Sequence, residues 1–192
     1  MTARRRALLP ALLLGAVLSA CGGEDAATAP VVALGAAPDV ADAPYKANPR
    51  PYDPALDANA AVSAALAEAR RDDKLVLVAM GGNWCPDCRI LSGMMDIPAM
   101  AEMIEAEYAV VKVDVGEPVA EETGGGFAGY ERNADVAARF GAEGFEGVPT
   151  LLIVTPEGEL LNADEPSIFR NARDRNPQDL ADYLAKYADR PA

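Results

Sequence analysis

Cys85 and Cys88 are the residues of this chain best suited to chemistry. Two residues separate them, and on the first turn of a helix that spacing brings two sulfurs within reach of a disulfide. Such a pair can cycle between dithiol and disulfide: Cys85 attacks a substrate disulfide and Cys88 resolves the mixed disulfide that forms. The apolar run at residues 74–80 reads as a buried strand, and the stretch from Cys85 onward reads as helix. Cys85 is thereby expected at a helix N-terminus, where free N–H groups and the positive end of the dipole stabilise a thiolate. Pro86 suits that first turn because its missing N–H costs nothing there. Asp87 acts in the other direction, since a carboxylate near Cys85 disfavours its thiolate. A less stabilised thiolate makes a less oxidising couple, which leans the reading towards a disulfide reductase.

Other chemistries lack their residues. The sequence contains no histidine, which removes Ser-His-Asp and Cys-His catalysis and every histidine-ligated metal site. Zinc on Cys85 and Cys88 would need two more Cys or His ligands, and none remain once Cys21 is set apart; no metal is expected. A static disulfide closing so short a loop would contribute little stabilisation. Gly124, Gly125 and Gly126 have no Gly-Lys-Ser/Thr after them and form no phosphate loop. The formal net charge of −13 over 192 residues argues against nucleic acid as a partner.

The N-terminus reads as an address. Arg4, Arg5 and Arg6 precede an apolar run at residues 7–17, too short to span a bilayer comfortably. Leu18-Ser19-Ala20-Cys21 follows and resembles the lipobox of bacterial lipoproteins. The resemblance implies a signal peptide over residues 1–20, cleavage before Cys21, and lipid attached there. Gly22 in place of aspartate resembles the pattern sorted to the outer membrane in a Gram-negative host. Residues 22–52, rich in Ala, Pro, Gly and Asp without hydrophobic periodicity, are expected to be a flexible linker.

The elements that must position the cysteines alternate. Residues 56–71 read as a helix with Leu56, Val62, Ala65, Leu66 and Ala69 on its apolar face and Asp53-Pro54 at its start. Pro98 breaks or restarts the helix that begins near Cys85. Residues 109–114 form a second strand and residues 135–140 a short helix. Residues 150–154 and 159–161 flank Thr155-Pro156-Glu157-Gly158 as a hairpin, and residues 177–187 form a last helix. This order predicts an α/β fold: a central mixed sheet with helices on both faces. Residues 115–133 form a long connection that could border Cys85 and tune partner choice. Residues 163–176 carry no reading. Met94, Met95, Met100 and Met103 are expected in the core, and Lys112 is expected to keep its head in solvent.

Trp84-Cys85-Pro86-Asp87-Cys88 after the buried strand, together with Gly147-Val148-Pro149-Thr150 before the hairpin, resembles the thioredoxin-like family. The resemblance covers roughly residues 55–190, within a domain expected over residues 53–192. It implies that Pro149 is a cis proline which, with Val148, shapes the substrate cleft beside Cys85, and that Trp84, Pro86 and Asp87 border the bound substrate. The two-part helix through Pro98 resembles the thioredoxin-like domains of bacterial periplasmic reductases. One departure stands out. Thioredoxin has a buried aspartate six residues before the first active cysteine, and Ala79 occupies that place here. Asp87 or water is then left to assist Cys88.

These readings converge on a lipid-anchored thiol–disulfide oxidoreductase of the cell envelope that reduces disulfides in exported proteins. No bound cofactor is expected, and a membrane thiol donor would supply electrons. The rival classes are a non-catalytic binding module of the same fold and a carrier of Cu(I) or another thiophilic metal.

Overall fold

The computed structural model describes residues 35–122, 127–143, 145 and 147–189. The expected signal peptide, the lipidation at Cys21 and the first part of the expected linker lie outside the described residues.

Helix α1 (Ala58–Asp72) starts at Asp57, whose Oδ1 accepts the Ala60 N–H at 3.0 Å. The start expected at Asp53-Pro54 falls earlier: Asp53 instead accepts from Ala55 N–H in a separate turn, and Leu56 is left partly exposed outside the helix. Strand β1 (Leu75–Gly81) is buried along its whole length. It is the middle strand of a three-stranded sheet, parallel to β2 (Tyr108–Asp114) and antiparallel to β5 (Thr150–Val154). A strand with two neighbours and two covered faces must be apolar throughout, and Leu-Val-Leu-Val-Ala-Met-Gly is.

Between β1 and β2 run α2 (Pro86–Met95) and α3 (Pro98–Glu107), each with proline in its first turn. Helix α4 (Ala134–Ala138) is short, and α5 (Pro177–Ala188) closes the domain behind a reciprocal cap between Asn176 and Asp179. The pleat of β1 divides the interior. Leu75, Leu77 and Ala79 pack with α2, α3 and α5, while Val76, Val78 and Met80 pack with α1 and α4. All four methionines named above are buried, Met94, Met100 and Met103 almost completely. Among the described residues no helix is long and apolar enough to cross a membrane.

Several further features differ from expectation. First, residues 35–52 are a docked strap. Val40 is buried in the α2–α3–α5 side of the core. Its N–H donates to Gln178 Oε1 at 2.9 Å, while Gln178 Nε2 donates to the Pro38 carbonyl at 3.0 Å. The strap passes over Gly93, where a Cβ would lie 2.1 Å from the Lys46 carbonyl oxygen, and Asn48 N–H donates to the Arg89 carbonyl at 2.9 Å. The strap is held by scattered carbonyls and amides and by isolated buried side chains such as Val40, which leave no repeating pattern to read.

Second, the hairpin after β5 keeps its turn but loses its return strand, which is reduced to a bridge between Val154 and Leu160. Asn162 substitutes for it: its Oδ1 accepts from Ile153 N–H at 2.8 Å and its Nδ2 donates to the Leu151 carbonyl at 2.7 Å. A side-chain amide thus satisfies part of the edge of β5, beside backbone bonds from Leu151 N–H to the Pro166 carbonyl and from Leu161 N–H to the Ile153 carbonyl. Third, the long connection after β2 contains a hairpin of its own, β3 (Pro118–Ala120) and β4 (Phe127–Tyr130). Lys112 also turns inward and donates to Ser92 Oγ at 2.8 Å.

Candidate active site

Cys85 is the N-cap of α2. Its Sγ accepts the N–H of Cys88 at 3.2 Å and lies 3.8 Å from the Val148 carbonyl oxygen. The Cys85 thiol is held below its ordinary pKa chiefly by the hydrogen bond from the Cys88 side chain. Burial opposes that lowering, and so does the charge of Asp87. The Cys88 thiol is pushed up strongly, first by burial and then by its bond to Cys85. The pair therefore divides labour: Cys85 carries the negative charge and Cys88 keeps the proton that supports it.

The Val148–Pro149 peptide bond is cis, as the family resemblance implied. Its loop is fastened by Thr150 Oγ1, which donates to the Gly147 carbonyl at 2.7 Å and sits 2.7 Å from Ser167 Oγ. Val148 and Pro149 are thereby placed beside Cys85. On the other side stands Trp84, 38% exposed, with its indole N–H donating to the Gly116 carbonyl at 2.7 Å. Gly82 makes room for that ring, since a Cβ there would lie 2.4 Å from Trp84 Nε1. Pro86 is exposed at the mouth.

Asp87 is not where the sequence reading put it. It is only 5% exposed and accepts from Arg173 through that residue's backbone N–H at 2.9 Å, Nε at 3.0 Å, and Nη2. The guanidinium holds the Asp87 carboxyl below the usual carboxylate range, so it stays ionised. The carboxylate faces protein, and the group offered to a partner is the Arg173 side chain, 58% exposed. An Asp so fully engaged is not available to assist Cys88. Arg173 lies in the stretch at residues 163–176, where nothing in the spacing pointed to it.

The sequence reading also missed Tyr52 and Tyr130. Tyr52 ends the strap and is buried. Its N–H donates to Asn83 Oδ1 at 3.1 Å, and Asn83 Nδ2 donates back to its carbonyl at 2.9 Å. Its hydroxyl comes close to Cys88 Sγ over Gly81. Tyr130, on β4, stacks on Trp84 with ring centroids 6.4 Å apart and on Phe145 at 5.5 Å, and Phe127 meets its edge at 5.0 Å. The connection expected to border Cys85 thus supplies an aromatic ridge beside Trp84. Burial, followed by the two cysteines, pushes the Tyr130 hydroxyl up to about 12. Neither tyrosine carries a motif, and each comes to the site from a segment without periodicity.

A thioredoxin-like family model matches residues 57–156. Among solved structures, the crystal structure of a disulphide isomerase from Xylella fastidiosa Temecula1 is similar. It is 30% identical with a TM-score of 0.62, and the match covers 72% of this chain and 96% of that one. No curated protein matches the chain.

Proposed function

The chain belongs to the thioredoxin-like family and is of the thiol–disulfide oxidoreductase kind, and from that premise we propose that it reduces disulfides in exported proteins at Cys85 and Cys88. The observation that carries this reading is the asymmetric pair: a lowered thiol at the N-cap of α2 beside a buried, protonated one. Cys85 attacks a substrate disulfide and forms a mixed disulfide, and the leaving sulfur takes up a proton. Cys88 then attacks Cys85 Sγ, and the second substrate sulfur leaves as a thiol. An extended substrate segment would lie along the Val148–Pro149 loop, between it and Trp84.

The direction follows from charge. Asp87 opposes the Cys85 thiolate even with Arg173 bound to it. A couple whose reduced form is only modestly stabilised donates electrons more readily than a strong oxidant does. The signal-like N-terminus and Leu18-Ser19-Ala20-Cys21 support a lipid-anchored protein of the cell envelope, on the outer membrane in a Gram-negative host. Turnover there draws electrons from a membrane thiol donor. A second reading, isomerisation, is favoured by the name of the Xylella structure.

One measurement separates these readings. The full chain is equilibrated in glutathione and dithiothreitol buffers, and its thiols are trapped. A potential near thioredoxin's, about −270 mV, supports the reductase; about −180 mV favours isomerisation, and about −120 mV marks an oxidant. A pair that never cycles removes the enzyme reading.

A further inference from the structure

Resolution has a difficulty in this site. Cys88 is fully buried, and burial holds its proton on. To attack Cys85 it must become a thiolate in a dry place. Its surroundings offer little charge to help. Ala79 contributes a methyl group packed on the opposite face of the sheet. Asp87 is committed to Arg173. Asp114, at the end of β2, pairs with Arg132 at 3.5 Å and accepts from Gly116 N–H at 2.9 Å. Tyr130, from β4, stays protonated. Among the described residues, what remains beside the sulfur is the backbone of Gly82 and the hydroxyl of Tyr52.

We propose that Tyr52 is the hydrogen-bond donor for the resolving thiolate, brought to Cys88 by the docked strap. The proposal rests on the reading of Cys85 and Cys88 as a redox couple. Its geometry is specific. The Tyr52 hydroxyl and Cys88 Sγ converge over Gly81, where a Cβ would lie 2.4 Å from one and 2.8 Å from the other. The absence of a side chain at Gly81 is what lets the two groups meet. The two hydrogen bonds between Tyr52 and Asn83 fix the backbone of the tyrosine to the loop that carries the cysteines. Burial and both cysteines keep the phenol protonated, so it acts as donor and never as base.

The step balances without a further reactant. Cys88 gives up its proton, which ends on the departing substrate sulfur or in water. Its electron pair forms the bond to Cys85 Sγ. The bond between Cys85 and the substrate breaks, and its electrons leave on the substrate sulfur. The protein is oxidised by two electrons and the substrate disulfide is reduced. Tyr52 keeps its own proton throughout and strengthens its hydrogen bond as charge develops on Cys88.

The test uses the reduced full chain and dithiobis(nitrobenzoate). Attack by Cys85 releases one coloured thiolate and resolution by Cys88 releases a second, identified by its loss in Cys88→Ser. Tyr52→Phe should leave the first release within about twofold, slow the second roughly tenfold, and move its pH inflection upward. 3-Fluorotyrosine at position 52, a stronger donor of nearly the same size, should move the inflection downward. A second release with unchanged rate and inflection in both proteins would overturn the proposal. Should Tyr52→Phe fail to fold, as judged by its circular-dichroism melt, the fluorotyrosine protein decides alone. A wild-type chain that shows the first release without the second would instead remove the redox couple itself.

Discussion

The rear of the redox centre and its open front are built in opposite ways. At the rear, Cys88, Tyr52 and Gly81 meet in a buried place where one missing side chain and one hydroxyl set the geometry. At the front, Trp84, Tyr130 and Phe127 form a ridge in which Phe127 is 45% exposed. The rear is assembled from the central strand, the active-site loop and the strap. Most of the front comes from a hairpin lying between β2 and α4 that the sheet does not require. The difference teaches that the two regions can be altered separately: the rear holds the residues proposed for resolution, and the front is the surface a partner would meet.

The largest expected effect is on chemistry. Cys85→Ser should reduce disulfide turnover to background, whereas Cys88→Ser should accumulate the mixed disulfide, visible as a covalent adduct by mass spectrometry. Equal loss without an adduct would break the division of labour between the two sulfurs. Removing residues 119–129 should lower kcat/KM on protein substrates by roughly tenfold, the scale of losing an aromatic anchor. It should leave reaction with a small aromatic disulfide nearly unchanged. A parallel loss on both substrates would show that the ridge supports the chemistry and not the partner.

A smaller effect is expected at the flank between these regions. Arg173→Ala leaves the Asp87 carboxylate unbalanced beside Cys85, so the Cys85 pKa should rise and its alkylation near neutral pH should slow several-fold. The same pair gives a pH signature. Because Asp87 is held below its unfolded value of about 3.9, its contribution is fully present above that pH. It is lost as pH falls through the lower folded value. Thermal melts below about pH 4 should then converge for the wild type and Arg173→Ala. The smallest effect is a control remote from both regions: Asp57→Ala removes the cap of α1 and should cost about 1 kcal/mol in denaturant unfolding. Neither substrate preference nor the second thiolate release should change.

The frame of the molecule was legible because its signals repeat. The buried run of β1, the prolines that open α2, α3 and α5, and the spacing of Cys85 and Cys88 each follow a rule that a sequence states directly. Trp84 and the Val148–Pro149 loop lie beside Cys85, as the family resemblance implied. What escaped was set by single contacts. Asn162 replaces a strand with one amide, Arg173 covers Asp87 from a segment 86 residues away, and Tyr52 arrives from a stretch with no period at all. Composition rich in Ala, Pro and Gly describes a chain that cannot bury much of itself. It does not describe one that docks through a few carbonyls on a surface made elsewhere.

On the proposed lipid anchoring, the strap would also limit how far the redox centre can travel. With Cys21 as the proposed anchor, the contour between lipid and folded body would be that of residues 22–34, since the chain from Gly35 onward is fastened through Glu107, Gln178 and Arg89. At full extension that stretch spans about 45 Å, whereas a linker running to residue 52 would span about 110 Å. The volume open to a site so anchored would shrink by roughly tenfold, and its effective concentration near the membrane would rise in proportion. On the proposed anchoring, docking the strap would therefore favour partners held close to the bilayer over those adrift in the space beyond.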